Sequence, residues 1–289
     1  MSFQFLSDNW VTPFGLIFVA GATLMWWWSR RVAASLDIDT SHIDLLVPLA
    51  LFAGIVGGGL LTFLTPTDKN LAGDALQTYM RIRFFGMTIS GAILVFVYSR
   101  LAQFSFRSLL DILALPTIGA LFVHRFGCLI AGCCWGDIAV HTEALAAIAD
   151  TNVGVQVQTL PWLAGEWLVS GMQFPPGSFP FEQQVALGLI DSTAAASLPV
   201  HPVQLYEAVG LLVMMLCFWR APLDRYPRGT IAALIVGSYT FLRFFLGYVR
   251  ADGNIVLGNL TMTQLQCIVL LAASLVALTV QSKSRNSIA

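Results

Sequence analysis

The sequence predicts an all-α integral membrane protein of seven transmembrane helices, with a small extracytoplasmic head between the fourth and fifth. Three observations carry that prediction. Of 289 residues, 57% are hydrophobic and 11% charged, where a soluble domain averages about 25% charged. The apolar residues gather into seven continuous runs, most of them near the length of roughly 17–25 residues that spans a bilayer as a helix. The one sizeable polar interval, residues 137–200, falls between the fourth and fifth runs. Continuous apolar runs exclude a closed barrel, whose strands alternate.

The runs cover residues 11–28, 43–64, 84–98, 109–123, 205–219, 230–249 and 262–280. The third, fourth and fifth are short as read from hydropathy alone. No basic region precedes the first run and no small-residue cleavage site follows it, so it is expected to act as an uncleaved insertion signal. Arg30 and Arg31 follow the first run, and Arg100 and Arg107 separate the third from the fourth. Arg220, Arg225 and Arg228 separate the fifth from the sixth, and Lys283 and Arg285 follow the last. Lys69 lies on the other side, and no Lys or Arg occurs between Gly136 and Val200. The positive-inside rule therefore places the N-terminus outside and the C-terminus in the cytoplasm. Trp10, Trp26, Trp27, Trp28 and Trp219 suit interfacial belts.

Three parts follow: residues 1–136 with spans one to four, 137–200 as head or lid, and 201–289 with spans five to seven and the tail. The head is mildly acidic, proline-containing and carries Trp162, Trp167, Phe174, Phe179 and Phe181 as apolar anchors. A net charge of −1 gives no reason to expect a nucleic-acid partner. Five cysteines in this length form no disulfide framework.

Five arginines remain once the loops are accounted for: Arg81, Arg83, Arg125, Arg243 and Arg250. All fall in or at the ends of spans, where a charge costs about 2.5–3.5 kcal/mol on insertion scales and so tends to have a partner and a task. Arg81 is read as snorkelling to the interface. Arg243 and Arg250 are seven apart, two turns along one helical face. Guanidinium groups gathered at one leaflet suit a phosphate, because each offers a planar fork of donors. In a membrane the phosphate at hand is a phospholipid head group.

His201-Pro202-Val203-Gln204-Leu205-Tyr206-Glu207 opens the fifth span. Pro202 is ordinary helix-start chemistry. His201, Gln204 and Glu207 recur at intervals of three and share a face, with Tyr206 adding a hydroxyl. This face reads either as an interfacial cap with a buried Glu–Arg pair, or as a polar wall opposite the arginines.

The fourth run leads into His124-Arg125-Phe126-Gly127-Cys128, followed by Cys133, Cys134, Trp135 and Gly136. The C-x₄-C-C spacing lacks the paired C-x₂-C of a zinc site, so no metal is expected there. Three readings of Cys128, Cys133 and Cys134 stand side by side. They are small residues allowing close backbone approach beside Gly127, Gly132 and Gly136. Alternatively, two of them pair on an oxidising face, or one is a nucleophile activated by Arg125.

Taken in order, these elements resemble the prolipoprotein diacylglyceryl transferase family. Phe14-Gly15-Leu16-Ile17-Phe18, running on to Trp28-Ser29-Arg30-Arg31, is similar to the family's first span. Phe84-Phe85-Gly86 sits where the family has Phe-His-Gly-Gly, and Arg125 to Gly136 lies on its Gly-Arg-x-Gly-Asn-Phe signature. His201 to Glu207 matches its His-Pro-Ser-Gln-Leu-Tyr-Glu closely, and is the most specific element. Arg243 and Arg250 fall on the arginines of its sixth span, and Leu260 to Gln264 resembles its entry to the seventh.

The resemblance implies transfer of diacylglycerol from phosphatidylglycerol to the lipobox cysteine of a preprolipoprotein, with no cofactor. It implies Arg125, Arg243, His201 and Glu207 as catalytic residues. Arg250, Gln204, Tyr206, Arg83, Gly127, Gly136 and Gln264 would bind substrate. The chain departs from the family at Phe14 (a Tyr there), Phe85 (a His), Cys128 (an Asn), Cys133 (an acid) and Gly247 (a Glu). Phe14 and Phe85 remove groups that could assist thiol activation. Two other functions compete: a phospholipid-dependent transferase with a non-lipoprotein acceptor, and a non-catalytic lipid-binding or lipid-transport protein.

Overall fold

A computed structural model describes residues 11–64, 72–139, 171–251, 255–258 and 260–286. Its helices are α1 Val11–Ser35, α2 Ser41–Leu64, α3 Ala72–Leu101, α4 Phe106–Ala131, α5 Phe179–Ala186, α6 Val203–Phe218, α7 Thr230–Leu246 and α8 Met262–Asn286. A two-stranded antiparallel pair, β1 Ile255–Leu257 and β2 Leu260–Thr261, leads into α8. Each of the seven apolar runs lies wholly or largely in a helix, and among the described residues the short pair of strands departs from an all-α reading. Among the described residues, Ser41–Leu61, Phe106–Ala131 and Met262–Ser282 are long and apolar enough to cross a membrane. Gly86–Leu101, Val203–Phe218 and Thr230–Leu246 are apolar and shorter.

The chain divides into two compact units. One comprises the described residues of Val19–Phe122, Leu211–Thr240 and Val269–Ala289. Its cores are aliphatic: Ile43, Leu46, Val47, Leu109 and Ile112 in one cluster, Leu115, Ile118, Leu211, Met214, Ile231 and Ile235 in another. Helices α2 and α3 approach so closely that a Cβ at Gly86 would lie 2.5 Å from the Gly57 carbonyl oxygen and 2.7 Å from Gly58 Cα. Small residues let helix backbones meet in this way where lipid removes the hydrophobic drive between helices.

Polar groups in this unit are tied to helix ends. Asp111, buried on α4, accepts from the backbone N–H groups of Gly229 and Ala232 and so caps the N-terminus of α7. Thr230 Oγ1 donates to Gln281 Oε1 at 2.9 Å, drawing α8 to the same point. Trp26 Nε1 donates to Asp44 at 2.9 Å while Arg30 pairs with Asp44 at 3.3 Å. Arg31 lies 4.3 Å over the Trp27 ring. Aromatic rings and arginines gathered at a helix end suit a membrane–water boundary.

The other unit comprises the described residues of Met1–Phe18, Val123–Gly210 and Phe241–Ile268. It holds the Trp135, Phe174 and Val200 cluster and nearly all the residues singled out from the sequence. Most of the expected head, residues 140–170, lies outside the described residues. Its last part, 171–200, folds back onto the motif: Met172 and Val200 exchange backbone hydrogen bonds, and Trp135 Nε1 donates to Gln183 Oε1 at 3.1 Å.

Candidate active site

The site begins where α4 ends. Hydropathy places that end at Val123, but the helix runs to Ala131, so Arg125 and Cys128 stand one turn apart on it. Backbone hydrogen bonding propagates through a polar side chain that finds a buried partner. Gly132, at φ +64°, stops the helix. The Cys133 N–H donates to the Cys128 carbonyl at 3.0 Å and the Gly132 N–H to the Leu129 carbonyl at 3.3 Å, which is the Schellman pattern.

The chain then enters a small backbone junction. The Gly136 N–H donates to the His201 carbonyl at 2.8 Å, the His201 N–H to the Asp137 carbonyl at 2.9 Å, and the Asp137 N–H to the Val249 carbonyl at 2.8 Å. Gly136 also bridges Arg250 in antiparallel fashion. A Cβ at position 136 would lie 2.6 Å from His201 Cβ and 2.7 Å from Val203 Cγ2, so only glycine fits. Through this junction three segments far apart in sequence deliver their side chains to one place.

That place is Glu207. It lies on the first turns of α6 and is fully buried. Arg125 Nη2 is 3.2 Å from Oε1, Arg243 Nη1 is 3.3 Å from Oε2, and Arg250 Nη1 is 4.0 Å from Oε2. Arg125 and Arg250 are themselves 6% exposed, Arg243 18%. One carboxylate therefore faces three guanidinium groups, in surroundings that screen charge poorly. The sequence anticipates Arg243 and Arg250 on one helical face. Instead α7 ends at Leu246, and Arg250 reaches Glu207 from the junction with Gly136.

Gln204, a turn before Glu207, is buried and donates from Nε2 to the Cys133 carbonyl at 2.7 Å. Its Oε1 is buried with no hydrogen-bond partner among the described residues, leaving an acceptor for a ligand donor. His201 Nδ1 lies 3.4 Å from Tyr206 Oη. Burial holds the His201 imidazole below its ordinary pKa, so it is neutral at pH 7 and can accept a proton.

Other expected residues take structural positions. Gly127 packs on α1, where a Cβ would meet Ile17 and Phe14 at 3.2–3.3 Å. Gln264 forms a capping box with Thr261: the Thr261 N–H donates to Gln264 Oε1 at 2.9 Å, and the Gln264 N–H to Thr261 Oγ1 at 3.2 Å. Its Nε2 donates to the Phe244 carbonyl at 3.3 Å, so its amide is spent on placing α8. Gly247 gives it room, since a Cβ there would lie 2.7 Å from Gln264 Cγ. The side chain of Arg83 lies outside the described residues.

Two features escape sequence reasoning. His124, beside Arg125, packs edge-on to Phe14 with ring centroids 5.2 Å apart. Cys134 has φ +61°, the left-handed region, where a residue with a Cβ is strained. That turn brings the Cys128, Cys133 and Cys134 sulfurs within 4.8 Å of one another, with Arg125 Nη1 3.9 Å from Cys128 Sγ.

Apolar helices and a buried cluster of three guanidinium groups on Glu207 define the class: a helical membrane protein with an internal charged site. The chain belongs to the prolipoprotein diacylglyceryl transferase family, whose model matches residues 2–280, and it is a multi-pass membrane enzyme of that family. It is 30% identical to the phosphatidylglycerol–prolipoprotein diacylglyceryl transferase of Nitratidesulfovibrio vulgaris (strain Miyazaki F), over 88% of this chain and 83% of that one. The Methylococcus capsulatus enzyme of the same description is 25% identical over 99% of this chain and 96% of its own. That of Dehalococcoides mccartyi (strain 195) is 22% identical over 85% and 80%.

Proposed function

We infer that the chain transfers the diacylglyceryl group of phosphatidylglycerol to the cysteine thiol of a preprolipoprotein and releases glycerol phosphate. The observation that carries this reading is the convergence of three guanidinium groups on the buried Glu207 carboxylate. Their forked donors suit a phosphodiester that gains a second negative charge as its C–O bond breaks. Arg125 and Arg243 hold the phosphate, and Arg250 closes the cluster. Gln204 Oε1 accepts from a glycerol hydroxyl of the head group. His201, with Tyr206, takes up the proton of the acceptor thiol. Gly136 holds the junction that aligns these groups.

The family, the seven apolar runs of the sequence and the distribution of basic residues support a seven-span protein of the bacterial inner membrane. In this reading α1–α4 and α6–α8 span, the N-terminus is outside, and residues 137–200 form the outer head. The site then opens to the leaflet and the compartment in which a preprolipoprotein presents its cysteine.

Arg243→Lys keeps the charge but loses the fork. Losing a charged hydrogen bond of roughly 1.5–3 kcal/mol is expected to slow glycerol phosphate release by about 10–100-fold. Release by Arg243→Lys equal to that of the parent would remove the bidentate contact from the account. A changed acceptor is the second reading, favoured by Phe14, which faces His124 where the resembled family has a Tyr.

A further inference from the structure

We propose that Cys128, Cys133 and Cys134 hold one zinc ion whose fourth position takes the acceptor thiol. This rests on the transfer reading above and adds a metal to it. The linear spacing argues against a site, because C-x₄-C-C has no C-x₂-C pair. The fold reverses that argument. Cys128 is on the last turn of α4, Gly132 turns the chain, and Cys134 adopts a left-handed φ of +61° that an L-residue enters at a cost. The outcome of two left-handed residues in three is a set of sulfurs within 4.8 Å of one another. Zn–S bonds of about 2.3 Å in a tetrahedron place sulfurs about 3.8 Å apart, so side-chain rotation closes the remainder.

The ligand count selects the ion and its task. Among the described residues no fourth His, Cys, Asp or Glu ligand atom joins the three. Zinc prefers four ligands, and a site with three protein ligands keeps one position for water or substrate. Cys128 is buried, while Cys133 and Cys134 are half-buried, so the cluster has an accessible side. Three thiolates and a dication sum to −1, and this charge lies beside a guanidinium group, with Arg125 Nη1 3.9 Å from Cys128 Sγ. The Gln204 amide ties the Cys133 carbonyl to the helix that carries Glu207, so metal cluster and anion cradle share one framework.

The chemistry balances without a further reactant. The acceptor thiol enters the fourth position and gives its proton to His201 or to solvent, because a coordinated thiol is deprotonated outright. Its sulfur attacks the glycerol carbon of phosphatidylglycerol. A C–S bond forms, the C–O bond to phosphorus breaks, and glycerol phosphate leaves with the electron pair and a second negative charge. Zinc is neither oxidised nor reduced.

The test uses the full chain, purified in detergent under reducing conditions and loaded with cobalt(II) as a spectroscopic stand-in for zinc. One equivalent should bind with a thiolate-to-cobalt charge-transfer band. Adding a lipobox cysteine peptide should shift that band, and Cys128→Ser, Cys133→Ser and Cys134→Ser should each abolish or weaken it. In the unmutated chain, removing zinc should slow diacylglyceryl transfer by about 10²-fold or more, the scale of losing the group that activates a nucleophile. Restored zinc should restore the rate. No band, a band that survives all three substitutions, a disulfide among the three cysteines, or copper(I) bound in place of zinc overturns the proposal, as does full transfer by metal-free protein. Transfer without metal leaves the diacylglyceryl reading standing. A peptide-sensitive cobalt band without any glycerol phosphate release supports the metal site and contradicts the transfer.

Discussion

Arg125→Ala is expected to cut glycerol phosphate release from phosphatidylglycerol by about 10²–10³-fold, the cost of removing one preorganised donor from developing negative charge. The expectation is at the upper end because Arg125 is 6% exposed and fixed by its ion pair with Glu207 at 3.2 Å. Little reorganisation is then needed when the phosphate arrives. Arg243 and Arg250 remain beside Glu207 in the variant, so the carboxylate keeps partners and the fold should persist. Radiolabelled head group, followed into the soluble fraction, measures the loss. Turnover near that of the parent would take the anion cradle out of the mechanism.

Glu207→Gln should act in the opposite sense on binding and stability. Removing the carboxylate takes away the anion on which the three guanidinium groups converge. Breaking a buried pair by deleting one partner costs about 3–5 kcal/mol, so the lipid-free variant should melt well below the parent in detergent. An anionic lipid replaces the missing charge. Phosphatidylglycerol should therefore raise the melting temperature of Glu207→Gln more than that of the parent, while phosphatidylcholine should not. Equal shifts in the two proteins would show that the three arginines do not meet the head group together.

Much of the fold is legible in the sequence, because a bilayer demands continuous apolar runs and these leave little ambiguity about which segments are helical. The ends are less legible, for a specific reason. Hydropathy stops at a charged residue, but a helix stops only when its backbone finds another partner. Helix α4 passes through His124 and Arg125 to Ala131, and α3 begins at Ala72, before Arg81 and Arg83. The two strands between α7 and α8 span three and two residues, too short to impose a period on the sequence.

The candidate site divides in the same way. Gln204 and Glu207 are visible because their spacing places them on one face of a helix whose start Pro202 marks. Arg125, Arg243 and Arg250 are visible because charge among apolar residues is costly. The capping task of Asp111 is not legible, since its partners lie more than a hundred residues away and an Asp at a span end is unremarkable. The convergence of the three cysteines is not legible either. It depends on the left-handed backbone at Cys134, a conformation that sequence does not lead one to expect at a cysteine.

The measurement that bears most directly on the account is complementation of a bacterial strain depleted of its own prolipoprotein diacylglyceryl transferase. Expression of this chain should restore growth and the lipid modification of a reporter lipoprotein, and Arg125→Ala expressed to the same level should restore neither. A well-expressed, membrane-inserted chain that leaves the reporter unmodified would contradict transfer to a preprolipoprotein.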